Sequence, residues 1–290
     1  MTFGLKGSLG SHLHMTWSRP ARVAALLVVA VLSLGAQAPG KPRQKPYEPE
    51  VGQPGKDVVW VPTAQTLVDE MLDLADVTRR DYLLDLGSGD GRTVITAAKR
   101  GVRAHGIEYN PEMVELAKRN ADAAGVAGLA TFEKADLFES DLSRATVITM
   151  FLLPSINMKL RPALLSLKPG TRVVSNTFKM GDWEPDASFQ VTRECVNYCT
   201  ALLWVVPAKV EGTWALPRGR LILTQAFQKV TGSIASWGAT TPISAGRLNG
   251  EHLTFSVRGS DYFVVVKGDT MEGTIVTGKK KEPFKATRVR

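Results

Sequence analysis

The sequence predicts an α/β protein, a doubly wound and mostly parallel sheet followed by a small all-β domain. Three observations carry that prediction. Strand-like and helix-like segments alternate from residue 56 to about residue 186, the order that builds parallel sheets with helices on both faces. The strand-like segments are short and apolar, as strands buried on both faces are. Beyond Asp186 helical periodicity stops, and alternating strands punctuated by Asn249-Gly250 and Lys267-Gly268-Asp269 turns take over.

The elements follow in order. Thr63, preceded by Pro62, is a good helix N-cap, and Leu67, Val68, Met71, Leu72 and Ala75 recur at the three-to-four spacing of an amphipathic helix. Residues 82–86 read as a buried strand, 93–100 as a helix and 104–108 as a second strand. Asn110-Pro111 opens a helix reaching Ala123, with Pro at its favoured first position. Residues 131–136 read as a third strand and 147–153, apolar but for Thr149, as a fourth. A helix over 156–167 stops at Lys168-Pro169-Gly170, before a fifth strand at 171–175. Further strands at 199–206, 220–225, 253–257 and 262–266 predict an antiparallel meander or small barrel over 210–278, with 279–290 a frayed basic tail.

Ahead of the main domain, residues 1–38 read as a leader. Arg19 and Arg22 precede an apolar run at 23–36, shorter than the ~18–20 residues of a comfortable membrane span. Ala36-Gln37-Ala38 supplies a small-x-small cleavage pattern. Pro39 after it suits a cleavage enzyme poorly, so an uncleaved anchor stays open, and Met15 would give a shorter charged start. Residues 39–55 are Pro-, Gly- and Lys-rich and read as a linker, leaving 56–209 as the main domain. The formal charge of +8 is placed at the ends: six Lys/Arg and no acid in residues 1–46, and six against one Glu in 279–290. A charge so placed argues against a broad phosphate-tracking face, and so against a nucleic-acid partner.

Cys195 and Cys199 are four apart. On an extended strand their Cα atoms would lie about 13 Å apart, beyond the ~7 Å that a bridge allows. A turn around Asn197 would bring them together; without one, both are reduced thiols. No metal site is expected, because His105 and His252 are isolated and His12 and His14 lie in the leader.

The chemistry is concentrated in Asp85-Leu86-Gly87-Ser88-Gly89-Asp90-Gly91, at a strand-to-helix turn where ligands bind in doubly wound folds. Glycines suit a sharp turn and a close approach of backbone to ligand. The spacing is G-x-G-x-G, with Arg92 where a dinucleotide fingerprint would place its last glycine, which disfavours a nicotinamide dehydrogenase. Alone, this run is equally well a structural turn. Glu108, seventeen residues beyond Gly91 at the end of the second strand, can accept both hydroxyls of a ribose. Asp136, followed by Leu137, offers a carboxylate and backbone groups to an adenine amine. Three acids at the ends of three successive strands, in register with a glycine turn, point to a nucleoside site.

These residues resemble class I S-adenosylmethionine-dependent methyltransferases over about 150 residues. The resemblance implies a Rossmann-like seven-stranded sheet and S-adenosyl-L-methionine as cofactor. Asp85 with the Gly87, Ser88 and Gly89 turn would face the methionine end, Glu108 the ribose, Tyr109 the adenine face, and Asp136 with Leu137 the adenine amine. Val61-Pro62-Thr63, Phe151-Leu152-Leu153-Pro154, Lys159-Leu160-Arg161-Pro162, Val174-Ser175-Asn176-Thr177-Phe178 and Gly181-Asp182-Trp183 look like the family that includes the mitochondrial protein-lysine methyltransferases acting on ATP synthase subunit c and on the adenine nucleotide carrier. The leader and the β-rich region depart from that family. The acceptor would enter beside Phe151, Pro154 and the Thr63 helix entrance; Met150, Phe151 and Phe178 either line a channel or pack the core. No catalytic base stands out. The absence of an Asn/Asp-Pro-Pro-Tyr/Phe run after strand four argues against an amino-methylating nucleic-acid enzyme.

The expected function is methyl transfer to a protein lysine. A small-molecule methyltransferase and a non-catalytic cofactor-binding module with an interacting β-domain are the alternatives. The leader implies export to the periplasm or membrane anchoring, whereas the cofactor is cytosolic, so a cytoplasmic location stays open too.

Overall fold

The protein, seen as a computed structural model, is described for residues 47–289. The leader and the first part of the expected linker lie outside the described residues.

The first sheet has seven strands: β1 (Tyr82–Leu86), β2 (Arg103–Glu108), β3 (Ala130–Lys134), β4 (Val147–Met150), β5 (Arg172–Asn176), β6 (Ala187–Gln190) and β7 (Thr200–Val205). Their order is β3-β2-β1-β4-β5-β7-β6, with the first five parallel and β7 antiparallel to both neighbours. The chain leaves β1 towards β2 on one side and reaches β4 on the other, so the order reverses beside β1. The carboxyl ends of the strands at that point form the crevice in which ligands of open α/β sheets bind.

Helices α1 (Gln65–Leu74), α2 (Arg92–Lys99) and α3 (Pro111–Ala123) cover one face, burying Leu67, Val68, Val94, Ala97, Val114 and Ala117 against Leu83 and Val174. On the other face α4 (Pro154–Leu165) lays Ile156, Leu160 and Leu164 on Leu84, Leu86, Ile148 and Val173. The helix α3 begins as its sequence dictates, with the Asn110 side chain accepting from the Glu112 N–H at 2.9 Å and Pro111 at its first position. The first helix departs from expectation. Its N-cap is Ala64, without a side-chain cap, because Thr63 is engaged elsewhere: its hydroxyl accepts from Asn176 Nδ2 at 3.3 Å and its carbonyl from Arg92 at 2.7 Å.

The second sheet comprises β8 (Gly212–Leu216), β9 (Gly219–Ala226), β10 (Lys229–Ser236), β11 (Ala239–Pro242), β12 (Ser244–Asn249), β13 (His252–Val257), β14 (Ser260–Lys267), β15 (Thr270–Thr277) and β16 (Lys280–Arg288). Successive strands pair antiparallel except β11 and β12, which both pair with β10, and β16 returns to β8 through Thr287 and Arg288. The result is a closed up-and-down barrel, the arrangement that removes the open edges of a sheet. Inward alternation fills it with Trp214, Leu221, Leu223, Leu248, Leu253, Phe255, Val264, Val266, Met271 and Phe284. The expected frayed tail is therefore wrong. Phe284 and Ala286 of β16 point into the barrel while their neighbours face solvent, a period-two burial pattern that holds the strand in place.

The barrel joins the first sheet at the foot, the end opposite the carboxyl ends of β1, β4 and β5. Gly250 meets Gly170 so closely that a Cβ on Gly250 would lie 2.9 Å from the Gly170 Cα. Ala208 N–H donates to the Gly250 carbonyl at 2.8 Å and Gln228 Nε2 to that of Glu184 at 2.7 Å. Phe227 stacks on Trp183 at 5.9 Å, and Arg247 pairs with Asp186 at 2.6 Å.

Candidate functional site

The first loop after β1 makes three left-handed turns in five residues, with φ of 75° at Gly87, 54° at Gly89 and 84° at Gly91. Side chains are excluded there for a second reason. A Cβ at Gly89 would sit 2.7 Å from Trp60 Nε1, and one at Gly91 2.7 Å from the Phe132 ring. The loop is tied to β2: the N–H groups of Gly87 and Ser88 donate to the Ile107 carbonyl at 2.9 and 3.0 Å. The Glu108 carboxylate accepts from Gly89 N–H at 3.0 Å and from Asn110 N–H at 2.9 Å. Each Glu108 oxygen keeps a lone pair for a further donor.

Asp85, the penultimate residue of β1, is buried and accepts from Thr149 Oγ1 at 2.7 Å. Burial pushes its carboxyl up to about 7, and the charges of Glu108 and Asp90 add to the rise, against the Thr149 hydrogen bond. Asp136 lies two residues past the end of β3 and not within it. It pairs with Lys56 and accepts from Phe138 N–H at 2.9 Å, which together hold its carboxyl below the usual range. Tyr109 presents its ring to Lys56, whose Nζ stands 4.5 Å from the centroid.

One cavity of 510 Å³ is bounded by these groups, a size ordinary for a cofactor site. Its wall includes Asp85, Gly89, Glu108, Tyr109, Asp136 and Phe151. At its far side Phe151, Phe178 and Tyr198 gather, with centroids 6.0 Å apart for Phe151–Phe178, 5.3 Å for Phe151–Tyr198 and 5.6 Å for Phe178–Tyr198. Tyr198 sits in the loop closed by the Cys195–Cys199 disulfide, whose Cα atoms are 5.8 Å apart. The turn that permits the bridge puts Tyr198 itself at φ 57°, one residue beyond the expected Asn197.

A buried carboxylate of raised pKa, a carboxylate with free lone pairs and a third acid beside an aromatic face suit a cationic amine, a diol and an aromatic amine respectively. The comparisons with known proteins agree with that chemistry. The family described as ANTKMT methyltransferase domain matches residues 85–187. The protein-lysine N-methyltransferase of Saccharolobus islandicus is 44% identical over 152 residues, which are 51% of this chain and 94% of that protein. The chain belongs to the protein-lysine N-methyltransferase family. The mouse adenine nucleotide translocase lysine N-methyltransferase is 36% identical over 132 residues, 45% of this chain and 57% of its own length. The chain thus spans only about half of the animal relatives it matches. A Salinibacter ruber structure described as an RNA methyltransferase with S-adenosyl-L-homocysteine is 50% identical, covering 52% of this chain and 96% of that one at a TM-score of 0.49. This methyltransferase is S-adenosylmethionine-dependent, and its enzyme class follows from its family.

Of the residues expected from the sequence, Thr63, Asp85, Gly87, Ser88, Gly89, Glu108, Tyr109, Asp136, Leu137 and Phe151 all border the cavity. The exception is Pro154. It occupies the exposed first turn of α4, and the neighbouring wall is made by Leu153 and Ile156. Ser88 borders the cavity with its backbone: its hydroxyl is buried without a partner and lies over Gly106, where a Cβ would be 2.6 Å from Ser88 Oγ. Phe178 and Met150 are in the wall, Met150 as a buried core residue.

Two parts of the methyltransferase site escaped sequence reading. A segment that straddles the expected boundary between linker and main domain, residues 52–60, folds over the cavity: Gly52 N–H donates to the Trp60 carbonyl at 2.8 Å and Trp60 N–H to that of Gln53 at 3.0 Å. This strap delivers Lys56 and Trp60. Tyr198 is the other omission; its sequence signal is the cysteine pair that brackets it.

Proposed function

We propose that the chain transfers a methyl group to the side-chain nitrogen of a lysine in a protein acceptor. The observation that carries this reading is the convergence of Asp85, Glu108 and Asp136 from three adjacent strand ends on one cavity whose opposite wall is aromatic. The names of the relatives support a lysine acceptor. The residues present fit the cofactor. Asp85, held up by burial and two neighbouring acids, would take the α-ammonium group with Gly87, Ser88 and Gly89 beside it and Thr63 at the helix entrance. Glu108 would take the ribose hydroxyls, Tyr109 the adenine face, and Asp136 with Leu137 the adenine amine. The cofactor supplies a methyl on a sulfonium sulfur, open to in-line attack.

The chain's part in the reaction is then chiefly alignment, which by itself can supply much of a rate enhancement. Phe151, Phe178 and Tyr198 offer ring faces that attract an ammonium. The same rings exclude water from it, which favours the neutral amine that must attack. Titration calorimetry with S-adenosylmethionine tests the cofactor half, with Asp85→Ala and Glu108→Ala each weakening binding at least a hundred-fold. Mass spectrometry of an acceptor digest tests the other half. Unchanged affinity in both variants, or methyl groups only on residues other than lysine, would overturn the reading.

We also infer that the enzyme works in an oxidising compartment, exported or anchored by its leader. The leader pattern and the Cys195–Cys199 bridge support this, since structural disulfides persist chiefly outside the cytosol. Alkylation of the two thiols in rapidly quenched cells checks it; free thiols in the native protein would place it in the cytosol.

A further inference from the structure

The sign of the charge differs between the two sheets. Residues 47–207 carry seventeen Lys/Arg against twenty-two Asp/Glu, and residues 208–289 carry twelve against six. The net basicity ascribed to a tail thus belongs to the barrel, and the topology shows where on it. In an up-and-down barrel the hairpin turns alternate between two rims. Three of them, at 227–228, 250–251 and 268–269, mark the rim joined to the first sheet, where Phe227, Gln228 and Gly250 make the contacts described above. The other four, at 217–218, 237–238, 258–259 and 278–279, mark the distal rim.

Those four tips and the strand ends beside them present Arg218, Arg220, Arg258, Lys279, Lys280 and Lys281, all exposed, against Asp261 and Glu282. Neighbouring tips are braced in pairs. Ser236 Oγ donates to the Arg218 carbonyl at 2.8 Å, and the Ser260 and Thr277 hydroxyls meet at 2.7 Å. At one tip stands Trp237, 85% exposed, with the Arg218 guanidinium 6.0 Å from its ring. An indole so exposed at a turn does nothing for the barrel core, which is already filled.

We propose that this rim docks on the surface of a bilayer containing anionic phospholipid. A ring of convex hairpin tips touches a plane at several points at once, whereas a nucleic-acid backbone is tracked by a basic groove. Tryptophan is the side chain that partitions to the headgroup level, and basic residues near an anionic leaflet each add about five-fold to binding. The rim lies beyond the foot of the first sheet, away from the cavity at its carboxyl ends. Docking therefore leaves the acceptor entrance open, and this inference does not depend on which acceptor is methylated.

The test is flotation of the full chain with phosphatidylcholine vesicles and with vesicles containing about one-third phosphatidylglycerol. The comparison is wild type, Trp237→Ala, and Lys279→Ala/Lys280→Ala/Lys281→Ala. The leader is common to all three, so its contribution cancels. Wild type should prefer the anionic vesicles by at least ten-fold. The triple variant should lose on the order of a hundred-fold of anionic binding, with S-adenosylmethionine affinity and thermal unfolding unchanged. Trp237→Ala should weaken binding several-fold, and a Lys→Arg triple variant should retain it. Equal partition of wild type and variants onto both vesicle types would overturn the proposal. So would a triple variant that loses binding to RNA while keeping its affinity for anionic vesicles.

Discussion

The two sheets of this molecule solve their burial problem in opposite ways. Of the eleven buried polar or charged side chains among the described residues, ten belong to the α/β part and only Gln228 to the barrel region. Gln228 sits at the joint, donating to the Glu184 carbonyl. In the α/β part the buried polar groups include Asp85, Ser88, Thr93, Thr149 and Asn176, close to the carboxyl ends of β1, β4 and β5. Burying such groups costs free energy unless they are partnered, so their concentration marks where the fold has traded stability for a site. The barrel makes no such trade. Its interior is apolar and filled, and any role it has must be carried by its outside.

The largest expected effect follows from that contrast. Phe255 and Trp214 are fully buried in the barrel, Trp214 with its indole N–H donating to the Val210 carbonyl at 2.8 Å. Phe255→Ala should cost about 3–5 kcal/mol in barrel stability, read by denaturant unfolding. S-adenosylmethionine affinity of the folded fraction should stay within two-fold. Loss of S-adenosylmethionine binding in the same denaturant transition that unfolds the barrel would mean that the two cores are one cooperative unit, and the comparison would fail.

Next in size is Gly89→Ala, which places a methyl 2.7 Å from Trp60 Nε1 at a left-handed φ of 54°. Cofactor binding should weaken by at least ten-fold. Because the clash is with the side chain of a strap, the double variant with Trp60→Ala should recover part of it. The remainder is the backbone term, of order 1–3 kcal/mol for such a conformation. No recovery at all would show that the strap does not sit on the glycine loop in solution.

The same division explains what was readable beforehand. The segments of the doubly wound sheet declare themselves locally: β1 coincides with its apolar run, and α3 has both its Asn110 cap and its Pro111. The three acids were legible because the fold places strand ends side by side. The strap was not, since residues 52–60 have no periodicity and are held by partners distant in sequence, Lys56 by Asp136 and Trp60 over Gly89. Thr63 reads as a cap on local grounds, yet Asn176, 113 residues away, claims its hydroxyl. In the barrel, β10 and β15 are rich in Ser, Thr and Gly and carry little apolar signal; closure of the ring requires them. Lysines disguised β16, although Phe284 and Ala286 hold the alternation of a strand.

Tyr198 tests the acceptor side separately from the cofactor side. Tyr198→Ala should raise the acceptor KM by roughly three- to ten-fold, the range of a cation–π contact of about 0.5–1 kcal/mol with some added desolvation. S-adenosylmethionine affinity should not move. Cys195→Ser, which frees the loop while keeping the ring, should give a smaller change of the same sign. An equal effect on cofactor affinity would place Tyr198 on the wrong side of the cavity.

The pH dependence of one buried carboxyl is the most diagnostic effect. Asp85 has its carboxyl at about 7 in the folded protein against about 3.9 in an unfolded chain. Between those values the native state holds a proton that the unfolded state has released. Stability therefore falls as pH rises from about 4 to about 7 and is flat in this respect above it. Other carboxylates, such as Asp136 and Asp81, are held low by their partners and act at lower pH, in the opposite direction. Asp85→Asn isolates the contribution: the difference in unfolding free energy between variant and wild type should widen in the variant's favour from pH 5 to pH 8. An α-ammonium arriving beside Asp85 should draw its pKa down and release a proton on binding near pH 7. Calorimetry in two buffers of different ionisation enthalpy reads that proton directly in wild type and should find none in Asp85→Asn. Proton release that survives the substitution would assign the titration to another group and remove Asp85 from the methionine end of the site.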